Sequence, residues 1–203
     1  MPTTRARNGR PSSYHHGNLR ESLLDAADSL LAARAGQPLT LRDVAKAAGV
    51  SHAAPYHHFA SLADLLAALA ERGFANLAAA MEGASRAESP RDAMVDMCET
   101  YVEFARARPG QFRLMFGPLL AHKADFPELA QAAEEAFGGL LAGAMRYSPA
   151  NGAALALAGW SLAHGLANLL IDGAFTSLPI PTPPAEVLAR MMALHVLEGT
   201  SSR

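Results

Sequence analysis

Residues 39–59 read LTLRDVAKAAGVSHAAPYHHF. Two short segments with helical apolar spacing flank Ala48-Gly49-Val50, which specifies two short helices meeting at a tight turn. Thr40, with Asp43 three residues on, marks a capped start for a helix from Leu41 to about Ala48. Gly49 ends it where a left-handed backbone is easiest. Ser51 then caps a second helix running to about Phe59. Packing the pair requires Val44, Ala45 and Ala48 to face inward, with Val50 and Phe59 pinning the second helix at its two ends. Two helices joined in this way form a helix-turn-helix, whose second helix enters the DNA major groove.

The residue types of the second helix suit that task. Ser51, His52, Ala53 and Ala54 are small or short enough to let the backbone approach base edges, and an alanine methyl can touch a thymine methyl. Helix N-termini also attract phosphate. Tyr56 offers a hydroxyl to phosphate, and His57 and His58 are donors to phosphate or base. Arg42 and Lys46 read equally as phosphate contacts or as a solvated face. Pro55 cannot donate to the Ser51 carbonyl, so the first turn is expected to tighten or bend.

Outward from this stretch the pattern stays helical. Residues 1–17 are polar and basic and read as a flexible arm. Asn18 caps a helix to Ala35, with Glu21 completing the box, and Gly36 and Pro38 stop it. Ser61 caps a helix from Leu62 to about Met81. Further helices are expected over 91–107, from Pro109 through Phe116, over 127–146, over 150–174, and from Pro183-Pro184 to about Glu198. With no strand pattern, the fold class is all-α with about nine helices. The expected domains are the arm 1–17, a helix-turn-helix head 18–66 and a helical body 67–203.

Composition bounds the function. Half of the 203 residues are apolar, enough for a real core. Residues 1–59 carry seven basic and four acidic side chains, +3, and the remainder carries −5. That asymmetry points to a polyanion partner for the N-terminal region. One cysteine, Cys98, excludes an internal disulfide and any multi-cysteine metal site. No apolar run is read as long enough to span a bilayer and no secretory signal is seen, so a cytoplasmic location is expected. No cofactor or metal is expected. The pairs His15-His16 and His57-His58 point in diverging directions on a helix and lack acidic or cysteine partners at ligand spacing.

The stretch 39–66, LTLRDVAKAAGVSHAAPYHHFASLADLL, resembles the DNA-binding signature of the TetR-type one-component transcriptional regulators, in spacing and in Gly49, Val50, Tyr56, His58 and Phe59. Residues 14–36 look like that family's first helix and its lead-in. WSLAHG (160–165) looks like the tryptophan–histidine–glycine motif of one C-terminal class. The resemblance implies a homodimer with a helix-turn-helix head on double-stranded operator DNA and an all-helical ligand-binding and dimerisation body. The last two long helices would build a four-helix bundle across the two-fold. The chain departs from the pattern at Leu62, where the family usually has a lysine on the DNA backbone. Arg5, Arg7 and Arg10 of the arm are candidates to compensate at phosphates or the minor groove. The candidate DNA-contacting set is therefore these three with Thr40, Arg42, Lys46, Ser51, His52, Ala53, Ala54, Tyr56, His57 and His58.

In the body, Trp160, His164 and Asn168 at i, i+4, i+8 form one polar-tipped stripe. It reads either as a wall orienting a small molecule or as a buried set satisfied by neighbouring helices. Met94, Met97, Cys98, Tyr101, Phe112, Met115 and Phe116 line either an adaptable apolar pocket or plain core. Asp96 and Glu99 disfavour a reactive thiolate at Cys98. The expected function is a DNA-binding regulator, a repressor, retuned by a small apolar effector. A ligandless structural DNA-binder and an all-α enzyme using His164 with Asp172 are the rivals. The enzyme lacks a nucleophile–base constellation, a Gly-rich phosphate loop or an HExxH pattern.

Overall fold

The computed structural model describes residues 19–34, 38–120 and 122–201. The arm 1–17 with Arg5, Arg7 and Arg10, the Asn18 cap and Gly36 lie outside the described residues. Among those described there are eight α-helices and no strand: α1 Leu19–Arg34, α2 Leu41–Ala47, α3 Leu62–Ala84, α4 Pro90–Ala107, α5 Pro109–Phe116, α6 Pro127–Tyr147, α7 Gly152–Ile171 and α8 Ala185–Ser201.

Local chemistry sets the helix starts. Thr40, Ser61 and Ser89 each accept the backbone N–H of an aspartate three residues on, at 3.1, 3.2 and 3.0 Å. Prolines open α4, α5 and α6, where a missing N–H costs nothing. At Thr40 the box is closed, because Asp43 Oδ2 accepts the Thr40 N–H at 3.1 Å. Arg34 at the end of α1 lies 3.2 Å from the same oxygen. The Arg34 guanidinium, then the Thr40 hydroxyl, hold the Asp43 carboxyl down to about 2. That value lies below the ordinary 3.8, so the contribution is present above the ordinary value and is lost as pH falls towards 2. Thr40→Ala is expected to cost about 1 kcal/mol of stability. It should also raise the Asp43 pKa in a carboxylate NMR titration; an unmoved titration would contradict the box.

α2 ends in a Schellman arrangement: Gly49 (φ 70°) donates to Lys46 O at 3.2 Å and Val50 to Ala45 O at 3.0 Å. The next element corrects the sequence reading. Instead of an α-helix capped by Ser51 and running to Phe59, there is a 3-10 turn over Ala54–His57 with Ala53 as its uncapped N-cap. Pro55 explains this. It has no N–H for the Ser51 carbonyl, so Ala54 donates to that carbonyl instead (3.0 Å), and Tyr56 reaches Ala53 O (3.2 Å).

α3, about 35 Å long, leaves this head and continues unbroken through residue 67 into the body, where its main neighbour is α6. α4 packs on α7 and α8, and α7 on α6 and α8. One apolar core runs from Leu23 in α1 through Leu65, Leu69 and Phe74 in α3 to Leu197 in α8. α5 joins the layers from the side. A Cβ on Gly110 would sit 2.9 Å from the Leu31 backbone of α1, so α5 and α1 touch with nothing between them. Arg72 of α3 reaches Asp25 of α1 at 2.6 Å.

α7 corrects a second reading. By length and composition it is apolar enough to cross a membrane, with a mean hydropathy of 1.5. Its Ala and Leu outweigh the Gly, Ser, His and Asn interspersed among them, and it carries no charge. Here it packs in the bundle, while Leu157, Leu162 and Leu169 remain exposed.

Candidate nucleic-acid interface and ligand cavity

The head presents one mainly polar surface because most of its large apolar residues are used on the other side. Leu41, Val44 and Ala45 of α2 are buried, which turns Arg42 and Lys46, four residues apart, outward. In the turn after Gly49, Pro55 and Phe59 are buried and Val50 is half-buried against the core. These three anchor the segment, and Ser51, His52, Ala53, Tyr56, His57 and His58 are left exposed, with Ala54 half-buried. Tyr56 is 62% exposed, a large apolar ring left open among the described residues. Thr40 is exposed at the start of α2 but its hydroxyl is engaged by Asp43 at 2.7 Å. Leu62, where the resemblance led us to expect lysine, is half-buried against the core.

The body holds two adjoining apolar cavities that share Met81, Tyr101, Leu140 and Trp160. The larger, about 430 Å³, lies between α3 and α6 and is lined by Phe74, Leu77, Phe116, Ala133, Ala136, Phe137, Leu157 and Lys123 besides the shared residues. That size is within the range of small-molecule sites. The smaller, about 40 Å³, reaches towards α8 through Met94, Met97, Cys98 and Met192.

The sequence-derived ligand set divides between cavity wall and core. Met94, Met97, Cys98, Tyr101, Phe116 and Trp160 line cavity; Phe112 and Met115 are packed core, at 1% and 0% exposure. Met81, Leu140, Phe137, Phe74 and Lys123 carry no mark in the sequence. They come from helices whose apolar faces look like ordinary core, and only their convergence marks them.

The polar stripe on α7 forms a bonded chain. Trp160 Nε1–H donates to the Tyr101 hydroxyl (3.3 Å), and the same hydroxyl is hydrogen-bonded to His164 Nδ1 (2.9 Å). Burial pushes the His164 pKa down, favouring the neutral imidazole. Burial pushes the Tyr101 hydroxyl well above the ordinary tyrosine range, so it remains a donor. Phe112 and Phe116 pack on the imidazole at 5.2 and 4.8 Å between centroids. Asn168 is spent on the His164 backbone carbonyl at 2.8 Å. Burial, with Glu99 adding, pushes the Cys98 thiol up to about 12, far from a reactive thiolate.

Comparison with known proteins gives a consistent picture. A family described as bacterial regulatory proteins, tetR family, matches residues 23–69. A tetracyclin repressor-like C-terminal domain matches residues 94–195. A solved protein with unknown function from Rhodococcus sp. RHA1 is 30% identical, with 93% of this chain and 98% of that one covered and a TM-score of 0.80. The TetR family transcriptional regulator PfmR from Thermus thermophilus is 23% identical over 87% of this chain and 97% of its own, with a TM-score of 0.64, a likeness of fold. The nucleoid occlusion factor SlmA of Glaesserella parasuis serovar 5 (strain SH0165) is 31% identical over 102 residues, 50% of this chain and 51% of that protein. The chain thus spans about half the length of that curated relative.

Proposed function

The chain belongs to the TetR family of bacterial regulatory proteins, and from that premise we propose a dimeric repressor whose hold on operator DNA is changed by a small apolar effector in the body. It is a DNA-binding transcriptional regulator. The observation that carries the effector reading is α3 itself. Its first turn is capped by Ser61 at the edge of the head, and Phe74, Leu77 and Met81 further along line the cavity. An effector that wedges α3 from α6 tilts the helix that carries the head. Operator affinity then falls by as much as the effector prefers the tilted state.

In this reading Ser51, His52, Ala53 and Ala54 approach base edges, and Arg42, Lys46, Tyr56, His57 and His58 engage phosphate or base. Thr40, whose N–H and hydroxyl are both held by Asp43, positions α2 instead of contacting DNA. Arg5, Arg7 and Arg10 add arm contacts where Leu62 supplies none. The second copy covers the exposed apolar residues of α7 and α8, Leu157, Leu162, Leu169, Val187 and Met191. Two heads then meet half-sites about 34–36 Å apart.

The half-length match to a protein named a nucleoid occlusion factor supports a second reading, a DNA-binding protein that acts at the nucleoid. Selection from a random DNA library tests the first step for both. The expected product is an inverted repeat with half-sites one helical turn apart or a multiple of it. Enrichment of no sequence, with binding that only tracks salt, would contradict a specific regulator.

A further inference from the structure

We propose that the larger cavity is built for an amphiphile, a single anionic head of the carboxylate class on an apolar alkyl or aryl tail, with the head held by Lys123. The inference rests on the reading that this cavity receives the effector. Among the described side chains lining it, Lys123 alone is charged. It sits in a short 3-10 turn, Lys123–Asp125, just before α6. It is half-buried, with its ammonium 5.9 Å from the centroid of Phe74, itself part of the wall.

Among the described cations of the body, Arg108, Arg146 and Lys123 lack a carboxylate partner; Arg108 lies over the Phe104 ring, Arg146 donates to the Ser85 carbonyl, and neither lines the larger cavity. In the body, Arg86, Arg91, Arg106, Arg113 and Arg190 each meet a carboxylate. Lys123 forms no ion pair with any described residue; Asp125, two positions on, is exposed and does not line the cavity. A half-desolvated ammonium at the rim of an apolar chamber favours a negative head over a neutral or positive one. The inner end has no such place. Trp160 Nε1–H and the Tyr101 hydroxyl are spent on each other and on His164, and the remaining surface takes a tail. The head therefore meets Lys123, and the tail runs between α3 and α6 towards Trp160.

Trp160 is the single tryptophan of the chain, so its emission reports on the cavity directly. Decanoate, decanol and decyltrimethylammonium are titrated against the wild type, Lys123→Met and Lys123→Glu, all three proteins matched by circular dichroism. Decanoate is expected to bind the wild type about tenfold more tightly than decanol. The preference should vanish in Lys123→Met and invert in Lys123→Glu, with decanol affinity the same in all three. Equal binding of decanoate and decanol by the wild type, or a preference that survives Lys123→Met, overturns the anionic head while leaving the effector cavity intact. Binding of none of the three overturns both.

Discussion

Replacing Phe112 with alanine is expected to remove about 3–5 kcal/mol of unfolding stability, the usual cost of truncating a buried aromatic. The ring is 1% exposed and lies 5.7 Å from Tyr101, 5.0 Å from Phe116 and 5.2 Å from His164, centroid to centroid. It is the point at which α5 locks the Trp160–Tyr101–His164 chain in place, so the cavity left behind has aromatic walls that cannot collapse. A domain of ordinary stability, about 5–15 kcal/mol, would lose a large fraction of it. Urea unfolding followed by far-ultraviolet circular dichroism measures the effect, and Phe112→Leu should recover most of it. A loss below about 1 kcal/mol would mean that the ring is less essential to the core than its burial implies.

The second large effect is on DNA. Ala53→Glu should lower operator affinity at least about a hundredfold, because it sets a carboxylate against phosphates where like charges cost several kcal/mol. Ala53 is exposed and precedes the 3-10 turn, so the fold has room for the longer side chain. Thermal unfolding close to wild type, with operator binding lost, is the expected pair of results. Unchanged affinity would move the DNA contact away from this turn.

The Thr40 box, the Ser61 cap, the Gly49 turn and the inward faces of α2 are legible in the sequence because each is local. Thr40 and Asp43, or Lys46 and Gly49, lie within one turn of helix, and their chemistry needs no distant partner. Pro55 is visible as a difficulty, but its consequence is larger than a bend: losing one N–H converts the recognition segment into a 3-10 turn. The cavity is only half legible. Met94, Met97, Tyr101 and Trp160 can be picked out along α4 and α7. Phe74, Met81, Phe137 and Lys123 come from three other segments, and a helical stripe that faces a void has the same spacing as one that faces a neighbour. The apolarity of α7 is likewise hard to read, because small residues and single polar ones break its leucines into short groups, although most of its exposed positions are alanine or leucine.

If α3 couples the cavity to the head, the coupling is reciprocal: a cavity ligand changes operator affinity by the factor by which operator changes ligand affinity. The direct measurement is the affinity for anilinonaphthalene sulfonate, read by energy transfer from Trp160, on the free protein and on protein saturated with its selected operator. Probe binding is expected to be weaker on DNA, by a factor of about 5–150 as is usual for such coupling, matched by an equal loss of operator affinity when the probe is present. Identical probe affinity with and without operator would contradict the coupling, leaving a DNA-binding protein whose cavity plays no part in its regulation.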